Sequence, residues 1–285
     1  MQEMCIGFTI FTKPWPEMPL EELAELVANL GFDGVELPVR PGFQVTPESK
    51  TVTLPKAARI FGDLNLRISS VAGDLDEATI TACGEARVPI LRTMARIDLQ
   101  VGYRASEESL WRRFDALLPV LEACNVKLGV QNHCGEWVGS AIGLMHLIDH
   151  YDPARVGAVL DFAHCALAGE PEAMAVDIVW PHLCLVNFKN AFWRRQVGPE
   201  SEDVIWREYW TTGSQGIASW PKAADELARR GYRGDVCLTA EYTDPLNGGE
   251  RKGESVMPLI AQDFAFAKRT FGQAERRRID GEETT

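Results

Sequence analysis

Nothing in this sequence approaches the roughly 20 consecutive apolar residues needed to cross a bilayer, and its first residues lack the basic, apolar and small-residue succession of a secretory leader. A cytoplasmic protein with no membrane partner is therefore expected. Positive charge is scarce: 29 Lys and Arg stand against 41 Asp and Glu, a formal net charge of −12. The basic residues are scattered except for Arg276, Arg277 and Arg278, so a phosphate backbone would find no clustered cations and nucleic acid is excluded as a partner. The seven cysteines are odd in number and contain no CxxC pair. Several, including Cys5, Cys184 and Cys237, sit in apolar runs and read as reduced core residues, not as disulfides or a structural zinc site. Histidine is sparse too. His146 and His150 have the i, i+4 spacing of a zinc pair, but HLIDH lacks the glutamate that follows the first His in a metalloprotease helix.

What the chain does contain is a repeated unit. Short runs rich in Val, Ile and Leu recur at CIGFTIF, GVELP, LRISSVAG, VPILRTM, VKLGVQNH, RVGAVLDFAH, HLCLVNFKN and DVCLTAEY, each followed by a stretch with helical spacing. Strand alternating with helix implies parallel strands, and eight such units close into an α/β (β/α)8 barrel. An open doubly wound sheet is the competitor, but no GxGxxG follows the first strand. LGFDGVEL at 30–37 and RGYRGDVCL at 230–238 share a Gly, aromatic, any residue, Gly order before a strand. The first Gly ends a helix and the aromatic packs beneath the barrel. One domain is expected over residues 1–272. Residues 191–216, long for a connection and rich in aromatics, are expected to form a lid or interface insertion. Residues 273–285, charged and poor in apolar side chains, are expected to be a disordered tail.

Barrels of this kind place their chemistry at the C-terminal ends of the strands. Alternation read back from each run's end points inward Glu36, Arg92, Gln131 with His133, Asp161, Asn187 with Lys189, and Glu241. Carboxylates, amides, imidazoles and a lysine around one mouth form an oxygen-rich set that suits Mn²⁺, Mg²⁺ or Co²⁺ better than a thiolate-seeking ion. Each residue alone has a plain structural reading, such as an ion pair between Glu36 and Arg92. His164, three residues after Asp161, reaches the same mouth. Cys134 follows His133 directly, and strand alternation points the two apart. The glycine-rich LNGGERKGE after the last strand offers Arg251 and Lys252 to a phosphate, or is a solvated loop.

GFDGVEL, VPILR, VGAVLDFAH, VNFKN and the closing GSQGIASWPKAADELARRGYRGDVCLTAEY resemble the xylose isomerase-like TIM barrels, in particular the sugar phosphate isomerase/epimerase group, over nearly the whole chain. The resemblance implies one divalent ion, Mn²⁺ first, held by Glu, Asp, His and Glu on four successive strands. Asp161 and Glu241 match that pattern, with His164 in the substrate-contacting place. Gln131 stands where the family has Glu, and Asn187 where it has His. A glutamine accepts no proton at neutral pH, which weakens two-face epimerisation and leaves any reaction that needs a single base. The expected function is thus a metal-dependent isomerase or epimerase of a small carbohydrate or polyol, working by proton abstraction next to a metal-bound carbonyl. A lyase or dehydratase acting on a keto-sugar is one alternative, and a non-catalytic sugar-binding or partner subunit is another. The expected ligands are Asp161, Glu241, Asn187 and Gln131; the expected catalytic groups are Glu241, His133 and His164. Glu36, Arg92, Lys189 and Trp15 are expected to touch substrate. The aromatic insertion implies a homo-oligomer, or else a hetero-oligomer.

Overall fold

The computed structural model describes residues 6–282; Cys5, assigned above to the first strand, lies outside them. The described chain runs β1 (Gly7–Phe11), α1 (Leu20–Leu30), β2 (Gly34–Pro38), α2 (Lys50–Asp63), β3 (Arg67–Ala72), α3 (Glu77–Glu85), β4 (Ile90–Met94), α4 (Tyr103–Cys124), β5 (Lys127–Gln131) and α5 (Ala141–Ile148). It continues with β6 (Val156–Asp161), α6 (Phe162–Leu167), α7 (Glu172–Val179), β7 (Leu183–Phe188), β8 (Asn190–Arg195), β9 (Trp206–Thr211), α8 (Trp220–Arg229), β10 (Asp235–Leu238) and α9 (Met257–Glu282). Eight parallel strands close into a barrel in the order β1-β10-β7-β6-β5-β4-β3-β2. All eight expected strands are present.

Local chemistry sets the helix limits. In α1 the buried Leu20, Leu23, Ala24 and Val27 fall three and four apart, one apolar stripe, and Gly31 caps the helix at φ 82°, a left-handed conformation that favours glycine. Asp76, Ser140 and Ser219 start α3, α5 and α8 by accepting the backbone N–H groups of Thr79, Gly143 and Lys222. The two echoed segments have the expected form: Phe32 stacks on Phe264 at 4.1 Å, and the Tyr232 hydroxyl donates to the Asp235 carbonyl at 2.8 Å.

Residues 191–216, expected as a lid or interface insertion, hold most of a two-stranded antiparallel hairpin, β8 with β9. One region differs from the sequence expectation. The expected disordered tail is helical as far as Glu282, because α9 continues through it with Ala274 buried and Arg277 paired to Asp225. Charge along that segment had concealed one apolar face.

Phe11, Ala72, Val159, Leu185 and Cys237 form a small apolar cluster separate from the main core, with Ile90 and Cys184 against it. These residues come from six different barrel strands. Because side chains alternate along a strand, two residues further on the same inward side is polar: Lys13 after Phe11, Arg92 after Ile90, Asp161 after Val159 and Asn187 after Leu185. The mouth is thus the polar continuation of the barrel's apolar filling.

Candidate active site at the barrel mouth

A chain of hydrogen bonds crosses four strand ends. Arg92, on β4, grips the fully buried Glu36 of β2 in a two-pronged contact of 2.8 and 2.7 Å, and Ser70 on β3 donates to the same carboxylate at 2.8 Å. The third guanidinium nitrogen of Arg92 donates to the side-chain carbonyl of Gln131. The Gln131 amide then donates to Asp161 Oδ2 at 2.9 Å. Asp161 uses Oδ1 to accept the backbone N–H groups of Ala163 and His164 at 3.0 and 3.4 Å, which caps α6. Burial pushes the Asp161 carboxyl up to about 6, against the nearby Lys189 charge that lowers it. Beside it Asn132 accepts the Asp161 N–H at 2.8 Å and donates to the Asp161 carbonyl at 3.1 Å, locking the ends of β5 and β6 together.

The other side of the mouth is an ion-pair cluster around Glu241. Lys189 Nζ lies 2.7 Å from Glu241 Oε2 and 3.7 Å above the centre of the Trp210 ring. Lys13 Nζ binds the other oxygen of Glu241 and also reaches Glu250 at 2.7 Å. Burial would raise the Glu241 carboxyl, yet Lys189 and Lys13 outweigh it and hold it well below the usual range. Ala240, just before Glu241, has φ 54°. A left-handed alanine costs about 1–2 kcal/mol, and strain of this kind collects at functional sites.

Two imidazoles lie between these groups. His133 and His164 overlap with ring centroids 4.0 Å apart, and Trp210 meets His164 edge-on at 5.3 Å. His133 Nδ1 is 2.8 Å from the Cys134 carbonyl, an acceptor only, so Nδ1 carries the proton and Nε2 keeps a lone pair. His164 has the opposite form: its Nδ1 accepts the Cys134 backbone N–H at 3.2 Å, so Nε2 carries the proton. That nitrogen is buried without a partner, 3.7 Å from Asp161 Oδ2. Burial first, and then the Lys189 charge, lower His133 to about 4 and His164 well below its ordinary value, so both are neutral at pH 7.

The mouth therefore brings together Glu36, Arg92, Gln131, His133, Asp161, His164, Asn187, Lys189 and Glu241. Trp15 departs from expectation: it is 3 % exposed and packs in the main core, because its backbone folds back with the Trp15 N–H donating to Thr12 and Gln44 holding its carbonyl. Glu36 is likewise enclosed by Arg92 and Ser70 rather than facing the opening. Cys134 does not diverge from His133. The strand ends at Gln131, alternation stops with it, and His133, Cys134 and His164 each bring one potential ligand atom within 4.8 Å of the others. Lys13 and Trp210 were missed. Lys13 was within reach of the strand-end rule, two residues past Phe11, whereas Trp210 arrives through the hairpin and carries no local signal. His146 is on the surface, against Glu107 at 3.1 Å.

A family profile described as "Xylose isomerase-like TIM barrel" matches residues 24–257. The chain belongs to this family. Among curated proteins none matches it by sequence. An L-ribulose 3-epimerase structure superimposes with a TM-score of 0.72 at 13% identity, covering 95% of this chain and 96% of that one. A D-psicose 3-epimerase from Clostridium cellulolyticum H10, with D-tagatose, gives 0.71 at 14% identity over 93% and 99%. A probable 3-DHS dehydratase from Bacillus anthracis gives 0.66 at 13% over 90% and 97%. At such identities the likeness establishes the fold.

In this xylose isomerase-like barrel the expected Mn²⁺ ligands do not fit a divalent ion. Gln131 has its carbonyl on Arg92 and its NH₂ toward Asp161; turning the amide would set NH₂ against guanidinium. Both oxygens of Glu241 are held by ammonium groups. An ion about 2.1 Å from Glu241 Oε2 would lie no more than about 5 Å from Lys189 Nζ, a repulsion of about 7 kcal/mol at an effective dielectric of 20. Asn187 Oδ1 is buried without a partner, and Asp161 Oδ2 accepts the Gln131 amide with a lone pair to spare, so these two expected ligand atoms keep some capacity while Gln131 and Glu241 do not. His133, Cys134 and His164 bring three potential ligand atoms within 4.8 Å of one another, but these are softer donors than Mn²⁺ prefers.

Proposed function

We propose that this chain is an isomerase or epimerase of a small carbohydrate or polyol that removes a proton from the carbon next to a carbonyl. The observation that carries the reading is the tilted, closely packed histidine pair at the barrel mouth, whose backbone contacts make one imidazole an acceptor and the other a donor. His133 Nε2 takes the α-proton, and the C–H electron pair moves onto the carbonyl oxygen. His164 Nε2–H, buried and without a partner, donates a hydrogen bond to that oxygen. An imidazole lowered to about 4 is a weak base, so the carbonyl must be strongly polarised before the proton moves. Once charged, the same imidazole is a good acid and returns the proton readily. Arg92 and Glu36 act by holding Gln131 and the strand ends in register. The epimerase neighbours support this substrate class, and no step requires manganese.

A second reading, elimination from a keto-sugar as in a dehydratase or lyase, is favoured by one residue. Gln131 stands where a second carboxylate would serve the opposite face, so a single base remains, which is sufficient for β-elimination. Incubating a panel of keto-sugars in D₂O separates the two: unchanged skeletons that gain deuterium mean isomerisation, and loss of water or a fragment means elimination. His133→Ala is expected to lower turnover by about 10²–10⁴-fold, while Cys134→Ala retains it. Full activity in His133→Ala would sink the assignment.

A further inference from the structure

The mouth is already balanced in charge without a metal. Four carboxylates, Glu36, Asp161, Glu241 and Glu250, share it with four cationic groups, Arg92, Lys189, Lys13 and Arg40. Glu36 is paired with Arg92, Glu241 with Lys189 and Lys13, and Glu250 with Lys13. The Arg40 charge acts on Glu36, Glu241 and Glu250. Lys189 is distinctive among the four. The residue is 5 % exposed, and its Nζ is fixed at 2.7 Å by Glu241 and covered at 3.7 Å by the Trp210 ring, an arrangement that holds an ammonium in one place. It projects from just beyond β7, two residues after Asn187, on the same inward side.

We infer that Lys189 Nζ is the fixed positive charge of this site and stands where the resemblance places a divalent ion, making the chain a metal-independent member of its family. This rests on the reading of the mouth as a catalytic site. An ammonium has three donors. One is spent on Glu241 and one side faces the Trp210 ring, which leaves a donor for the oxygen that gains charge when His133 takes the proton. The two substitutions that set this chain apart then share one cause. With a lysine in the ion's place, a carboxylate at Gln131 and an imidazole at Asn187 have no metal ion to bind, and an amide can instead bridge Arg92 to Asp161.

The test needs no substrate. The six-line EPR signal of free Mn²⁺ is titrated with metal-stripped protein, using wild type, Gln131→Glu and Lys189→Met/Gln131→Glu, with folding checked by circular dichroism. Wild type is expected to leave the signal unchanged, and the double variant, with the ammonium removed and a carboxylate restored, is expected to quench it stoichiometrically. Stoichiometric binding by wild type would overturn the inference. So would a folded double variant that binds no Mn²⁺, since the ammonium would then not be what holds the ion's place. A separate arm uses whichever keto-sugar exchanges deuterium: Lys189→Met is expected to slow exchange by at least about 100-fold, with no rescue by added Mn²⁺, and rescue would count against the inference. If no keto-sugar exchanges while wild type also ignores Mn²⁺, the isomerase reading fails and the metal result stands.

Discussion

Arg92 is the residue on which the mouth's geometry depends, because its guanidinium faces Glu36 and Gln131 at once with almost no solvent. Removing one partner of a buried pair strands the other charge, so Arg92→Ala is expected to destabilise the fold by about 3–5 kcal/mol in denaturant titration. Arg92→Met with Glu36→Leu, which removes both charges, is expected to recover most of that loss, and equal instability in the two proteins would contradict the pairing argument. His133 gives a prediction in pH. Its imidazole is lowered from 6.5 to about 4, so between those values the unfolded chain binds the proton and the native chain does not; stability from this group rises with pH across that window and is lost as pH falls. Asp161 is raised from 3.8 to about 6, so its contribution has the opposite slope, present at low pH and lost as pH rises through 6. NMR is expected to show the His133 ring signals flat from pH 8 to about pH 5, and a midpoint near 6.5 would contradict burial as the cause.

At the scale of elements, α9 and the β8–β9 hairpin both exceed what local sequence indicates. The last turns of α9 bury Ala274 and pair Arg277 with Asp225 on α8. Truncation after Gly272 is therefore expected to lower stability by about 1–2 kcal/mol, read as a fall in denaturant midpoint, whereas an unchanged midpoint would mean that the final turns contribute nothing. The hairpin's role is more direct. Trp193 Nε1 reaches the Leu167 carbonyl at 3.2 Å, the Trp210 N–H donates to Thr243 Oγ1 at 2.9 Å, and these ties bring Trp210 over Lys189. Neither contact is local in sequence, and so the aromatic richness of residues 191–216 did not reveal which ring would enter the mouth.

For the whole molecule, the outer part of the hairpin leaves Trp193, Val204, Ile205 and Trp206 exposed by 42–55 %, a grouped apolar surface of the kind that marks an interface. A homo-oligomer is expected: light scattering should give a mass above that of one chain, and Trp206→Ser should shift it toward the monomer. A wild-type monomer at micromolar concentration would remove that reading. Barrel closure was legible at this scale because eight apolar runs, each followed by a helical stripe, admit few parallel arrangements. Several positions at the mouth were legible as well, since period-two alternation needs only the strand ends: Glu36, Arg92, Gln131, Asp161 and Asn187 lie inside their strands where counting back from each run places them, whereas Glu241 lies past the end of β10.

The sequence by itself determined the barrel, because its strands and helices follow from periodicity and residue type; that Gln131 and Asn187 stand in ligand places is what the resemblance implies, and the strand ends are the chemical face that barrels of this kind imply. Only the tertiary structure decided what those residues do. Gln131 turns its carbonyl to an arginine 39 positions away, Glu241 is shared by lysines from the first and seventh strand ends, and Cys134 sets the protonation of His164 through a backbone N–H. Each depends on which side chains from distant strands meet across the mouth. Electrostatics acts through space, so the site's charge balance, and with it the mismatch with manganese, exists only once the barrel has closed.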